Sequence, residues 1–236
     1  MTAPSVAKEA PAPSAAGGLP PIWAPLLLLA AASVAFRFGN LDHTIQHWFW
    51  SADGDWRFDN SLFVDVLYRY GNIPALLVAS GGLVVWSASL FVRRLKPARS
   101  LGGFLALALI VGPGLLVNGL LKEHYGRPRP RQVVEFDGSQ QFRSLGEPTF
   151  NSWEKSFPSG HASMGFFWFV PAIYFWPRSR NIAWGLIGLA LLHGGLMGLG
   201  RMAQGAHWPS DVFWSAGIVY VSAWLLYRVR TTSAQG

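Results

Sequence analysis

Apolar positions in this chain gather into six long runs separated by polar ones: Ile22–Phe38, Ile73–Val92, Leu101–Leu121, His161–Trp176, Ile182–Leu199 and Val212–Tyr227. Each approaches the roughly 17–25 residues that a helix needs to cross hydrocarbon. A helix satisfies its own backbone hydrogen bonds, which a bilayer demands. The pattern therefore predicts an all-α, polytopic membrane bundle of six transmembrane helices over residues 22–230. The stretch before it, residues 1–21, is rich in Ala, Pro, Ser and Gly and reads as a disordered tail. Residues 231–236 read as a short C-terminal tail. The first run starts late and lacks a basic leader, which favours an uncleaved anchor over a signal peptide. Gly112-Pro113-Gly114 inside the third run predicts a bent or loosened helix.

Two of the polar connections are long. In the first, Gly39–Asn72, residues Leu62, Phe63, Val66, Leu67 and Tyr70 recur near helical spacing, which predicts an amphipathic helix lying at the outer membrane face. The second, Lys122–Pro158, holds Gly-Arg-Pro-Arg-Pro-Arg-Gln followed by Glu-Phe-Asp-Gly.

Charge orients the bundle. Arg93, Arg94, Lys96 and Arg99 lie between the second and third runs, Arg178 and Arg180 between the fourth and fifth, and Arg228 and Arg230 after the sixth. Short basic connections mark the cytoplasmic side, so both termini are expected there. Of the 12 acidic residues, all but Glu9 fall on the other side. Only 13% of residues are charged, against about 25% in soluble domains. The net charge of +7 does not indicate a nucleic-acid partner, because the basic residues are divided among short loops. Cysteine is absent, which excludes thiol nucleophiles, thiolate metal sites and disulfides.

The inferred topology brings three polar clusters to one face: Lys122–Pro130, Pro158–His161 and Gly200–Asp211. Each suits a phosphate. Lys122, Arg129 and Arg201 can neutralise its charge, and the arginines offer forked donors. Ser159, Gly160 and His161 begin a helix, whose free N–H groups favour an anion, and Gly160 permits close backbone approach. His161 beside that anion is a candidate general acid. His207 and Asp211, four residues apart, can share a helix face, where an acceptor on one imidazole nitrogen leaves the other free as a nucleophile. Arg127 and Arg131 read either as a solvated extended run or as phosphate contacts. Glu123 and His124 are candidates for the pocket mouth, and His193, in mid-span, for a hydrogen bond inside the bundle.

These residues resemble the type-2 phosphatidic acid phosphatase family of membrane lipid phosphatases. Lys122, Arg129 and Pro130 match its Lys-x6-Arg-Pro; Pro158, Ser159, Gly160 and His161 match its Pro-Ser-Gly-His; Arg201, His207 and Asp211 match its Arg-x5-His-x3-Asp. The resemblance implies a reaction without metal or other cofactor. In it His207 attacks phosphorus, His161 protonates the leaving oxygen and water releases inorganic phosphate. It implies a phosphorylated membrane lipid as substrate at the outer face of the bacterial cytoplasmic membrane: lipid A phosphate, phosphatidylglycerol phosphate or a polyprenyl diphosphate. The Arg-Pro run followed by Glu-Phe-x-Gly is similar to the loop of lipid A phosphatases. The family often has Ser where Gly200 stands. Phosphotransfer to a lipid acceptor, non-catalytic binding of a lipid phosphate and anion transport are the rival readings. No obligate protein partner is evident from the sequence.

Overall fold

The computed structural model describes residues 18–51, 53–150 and 153–233. Among them the regular structure is helical, and extended backbone pairs only in three isolated bridges. The helices are α1 (Trp23–Phe38), α2 (Leu41–Gln46), α3 (Leu62–Tyr70), α4 (Ile73–Ala88), α5 (Lys96–Leu109), α6 (Lys122–His124), α7 (Gly160–Gly165), α8 (Phe169–Phe175), α9 (Arg180–Ala203) and α10 (Pro209–Ser233).

Four helical stretches are long and apolar enough to cross a membrane: Leu62–Ala88, Arg93–His124, Arg180–Ala203 and Pro209–Thr232. A fifth candidate is the pair Trp23–Phe38 and Leu41–Phe49, bent by 84° at its break. The run at His161–Trp176 takes a different form. It folds as α7, a 3-10 turn at Phe166–Trp168 and α8. The turn sits one helical turn before Pro171, whose ring and missing N–H break the bond pattern there. Ala162, Phe167, Val170 and Ile173 of this run are fully buried. It packs against α9 and α10 as a strut in the core. Small residues bring the helices close: a Cβ on Gly165 would stand 2.6 Å from Cα of Gly194 in α9.

A helix, α3, forms where the amphipathic one was expected, but it runs on through Gly71 and Asn72, so that α3 and α4 form one 27-residue stretch long and apolar enough to cross a membrane. Leu62, Phe63, Val66 and Tyr70 are exposed, while Val64 is buried where α3 meets α9.

The Gly112-Pro113-Gly114 segment loosens its helix, as its composition predicts. α5 widens into a π-helix over Ile110–Leu121 before closing as α6. π segments are usually single turns; this one has 12 residues. Pro113 removes a backbone donor inside it, and Asn118 Nδ2 donates to the Pro113 carbonyl at 2.7 Å.

Most of the predicted N-terminal tail, residues 1–17, lies outside the described residues. Its last part is tied down, with Trp224 Nε1 donating to the Pro20 carbonyl at 2.8 Å. α10 continues to Ser233, past the end of the sixth apolar run at Tyr227, and residues 234–236 lie outside the described residues.

Candidate active site

The π-helix sets the first part of the site. It carries Asn118, and with α6 Lys122, to the Pro158–His161 loop. A Cβ on Gly160 would lie 2.4 Å from Asn118 Oδ1 and 3.3 Å from Lys122 Nζ. A side chain there would push the Asn118 amide aside, so the glycine keeps this approach close. Ser159 caps α7, its hydroxyl accepting from the Ala162 N–H at 3.4 Å. The loop is fastened to α10: Ser215 Oγ donates within a pair of contacts to the carbonyls of Ser159 (2.9 Å) and Asp211 (2.7 Å).

Arg201, at the end of α9, and His161, at the start of α7, meet at one aromatic ring. The Arg201 guanidinium carbon lies 4.5 Å from the centroid of Tyr68, and the His161 ring centroid 4.7 Å from it. Arg201 also donates to Gln204 Oε1, while its buried Nε has no partner. Burial first, and then the neighbouring Arg201, His207, Lys122 and Arg129, push the His161 imidazole down to about 4, so it carries a proton only when an anion sits among these groups. Lys122, Arg129 and Arg201 are half-buried, and among the described residues none of them forms an ion pair with a carboxylate. Burial and the neighbouring Arg131 hold the Arg129 guanidinium below its ordinary pKa. An anion among these cations would relieve both effects.

His207 is fully buried in the short connection between α9 and α10. Its Nδ1 lies 2.6 Å from the Ser156 carbonyl oxygen. A carbonyl only accepts, so Nδ1 carries the proton and Nε2 keeps its lone pair. Burial pushes the imidazole down to about 4, against a smaller opposing pull from Asp211. The ring is therefore neutral at ordinary pH.

Asp211 reaches His207 less directly than the four-residue spacing suggests. Its Oδ2 is 3.7 Å from Nδ1, beyond hydrogen-bond range. That oxygen accepts from Ser156 Oγ at 2.6 Å and from the Trp208 N–H at 2.9 Å. Asp211 thus holds the residue whose carbonyl holds His207. Its other oxygen accepts from Arg127 Nη1 at 2.6 Å.

Arg127 is fully buried and committed to this network. Its Nη2 donates to Asp42 at 2.7 Å, and its Nη1 also donates to Ser210 Oγ at 2.7 Å. Asp42, from α2, accepts from the Ser210 N–H at 2.9 Å. Burial works against the Arg127 charge, but Asp211 and Asp42 more than offset it and raise its pKa. Of the two readings of the arginine run, neither describes Arg127: it is internal, and it is taken. Arg131 is likewise engaged, by Asp59 at 2.9 Å and by the Gln204 carbonyl. Glu123 pairs with Lys155, and His124 Nδ1 lies 2.8 Å from the Leu120 carbonyl. His193 accepts from Trp168 Nε1 at 3.0 Å, the internal hydrogen bond expected of it.

All eight residues singled out in the sequence, Lys122, Arg129, Ser159, Gly160, His161, Arg201, His207 and Asp211, come to this end of the bundle. Sequence reading missed Tyr68, Asn118, Asp42, Ser156 and Ser210. Only Asp42 left a signal, as a carboxylate beside an apolar run. At position 200 a Cβ would lie 3.6 Å from Val64 Cγ1, so this residue faces α3.

No solved structure gives a significant match to the chain. Among curated proteins it is 39% identical over 147 residues to a lipid A 4'-phosphatase of Francisella tularensis subsp. novicida, covering 60% of this chain and 64% of that protein. It is 36% identical over 122 residues to a lipid A 4'-phosphatase of Rhizobium leguminosarum, half of each chain. With a lipid A 1-phosphatase of Rhizobium etli it shares 30% identity over 185 residues, 70% of this chain and 73% of that one. The matches to the two 4'-phosphatases thus span less than two thirds of those proteins. Residues 97–235, which carry all three clusters, match the PAP2 superfamily model, and the chain belongs to that superfamily.

Proposed function

We propose that this protein is a membrane lipid phosphatase acting on a lipid A phosphate, through a phosphohistidine on His207. The observation that carries the reading is the juxtaposition of three uncompensated cations with two histidines, one of them held neutral with Nε2 free. Lys122, Arg129 and Arg201 bind the phosphate oxygens and stabilise the charge that builds in the transition state. The His207 Nε2 lone pair forms the N–P bond as the bond from phosphorus to the lipid oxygen breaks. His161, protonated once the phosphate anion beside it offsets its burial and the surrounding cations, gives that oxygen its proton. Water then attacks phosphorus, the N–P bond breaks, His161 takes the proton from the water, and inorganic phosphate leaves. Asp211 acts through Ser156, as a positioning residue.

The relatives' names favour lipid A over phosphatidylglycerol phosphate and polyprenyl diphosphates. The basic residues Arg93, Arg94, Lys96 and Arg99 lie at the opposite end of the bundle from the site. Under the rule that basic connections stay inside, the site opens to the outer face of the cytoplasmic membrane and both termini lie within the cell. The test is phosphate release by the purified chain from lipid A, phosphatidylglycerol phosphate and undecaprenyl diphosphate, each in the same detergent. Release from lipid A at the highest kcat/KM is expected. Release confined to another lipid would remove lipid A as substrate, and transfer of phosphate to added lipid without release would replace hydrolysis by phosphotransfer.

A further inference from the structure

At the far end of the bundle from the histidines, α4, α5 and α10 enclose a cleft of about 720 Å³. Lys96, Arg99 and Arg230 stand on its wall, and Trp86, Leu107 and Ile110 line its apolar length. From Lys96 to Ile110 the helix rises about 21 Å, at 1.5 Å per residue. That exceeds half of the roughly 30 Å hydrocarbon core, the depth of one leaflet.

The three cations are uncompensated. The chain has no Asp or Glu between Asp65 and Glu123 and none after Asp211. Among the described residues Lys96, Arg99 and Arg230 form no ion pair. Arg230 is anchored on Ser100, whose carbonyl and hydroxyl it contacts, and Tyr174 meets the same hydroxyl at 3.2 Å. This fixes α10 against α5 at the mouth of the cleft while Lys96 and Arg99 stay exposed. A charge that only set topology would need no room beneath it; the loop arginines Arg93 and Arg94 suffice for that. Here cationic groups stand over an apolar trough, the shape and polarity of a lipid with an anionic head.

We propose that this cleft binds an anionic glycerophospholipid, with its phosphate against Lys96 and Arg99 and an acyl chain lying along α5. Basic pockets between helices at the cytoplasmic boundary are suited to such headgroups. The site is separate from the histidines and does not depend on the phosphatase reading.

The test is native mass spectrometry of the full chain released from phosphatidylcholine nanodiscs containing phosphatidylglycerol. One phosphatidylglycerol should be retained per chain, about tenfold more tightly than phosphatidylcholine. Lys96→Gln with Arg99→Gln should abolish that preference, and Lys122→Gln with Arg201→Gln should keep it. Leu107→Trp, which fills the trough and leaves the charges, should weaken retention. Glycerol phosphate, a headgroup without chains, should not displace the lipid. Equal retention of the two lipids would overturn the proposal. So would a preference lost only in the Lys122 and Arg201 variant, which would put the lipid at the histidines, and so would displacement by glycerol phosphate.

Discussion

Two groups of charged residues share one end of this bundle and differ in how their charges are met. Around Arg127 every charge has a partner: Asp42 and Asp211 bind its guanidinium, and Ser156, Ser210 and the Trp208 N–H fill the remaining carboxylate positions. Around His161 the cations Lys122, Arg129 and Arg201 face one another without a carboxylate between them. A closed network has no valence left for a ligand, and its worth lies in fixing what it touches, here the Ser156 carbonyl on His207. The open group is unstable by itself and gains most when an anion arrives. The closed group is fully buried and the open one half-buried, and the count of partners separates them further.

The comparison can be broken from either side. In the proposed reaction His207→Ala removes both turnover and the covalent intermediate, the largest loss of any single change. His161→Ala should cost about 10²–10⁴ in rate on an alkyl phosphate, the usual range for general acid help, and far less on a phosphate with an activated leaving group. A comparison of kcat on the two substrates checks it.

Lys122→Ala or Arg201→Ala should lower kcat/KM by roughly 10²–10³, as removal of a transition-state donor does. Neither should lower the melting temperature in detergent, because each change relieves repulsion. Arg127→Ala should do the reverse of this on stability. It strands two buried carboxylates, at a cost of about 3–5 kcal/mol, so the fold should melt early even in the presence of substrate. Equal melting behaviour in the Arg201 and Arg127 variants would erase the distinction between open and closed groups.

The acid limb of the pH profile follows from the burial of His207. Its pKa is lowered, so the nucleophile stays neutral as pH falls through the ordinary histidine value near 6.5 and is lost only around 4. With an activated substrate, which needs no proton from His161, the rate of phosphoenzyme formation should therefore hold between pH 6.5 and 5 and then fall. A drop centred near 6.5 would mean that the ring is solvated during the reaction. The smallest effect is expected from Gly200→Ser. Its side chain would face Val64 in ordinary contact, so kcat/KM should change by less than about threefold.

These pairings mark where sequence reading stops. The helical content, the loosened third run and the gathering of eight named residues at one end were legible because each rests on local pattern: an apolar run, a Gly-Pro-Gly, a motif at a helix end. Arg127 was legible only as a basic residue, since nothing local says that Asp42, 85 positions away, will meet it. Tyr68 fell outside the apolar positions that marked the amphipathic helix, and its ring is the surface that His161 and Arg201 share. The run at His161–Trp176 was apolar enough to suggest a transmembrane helix. Pro171 breaks its helix, and the core takes its side chains. Periodicity reports what is apolar, and only packing decides whether the neighbour is lipid or protein.

The central claim is that the closed network exists to present His207, and the open cations to hold the phosphate that it attacks. Rapid quenching of the enzyme with phosphate-labelled lipid A, followed by mapping of the labelled peptide, tests it most directly. The account predicts label on His207, absent from His207→Ala and accumulating with an activated substrate in His161→Ala. Label on His161, or undiminished turnover by His207→Ala, would contradict it.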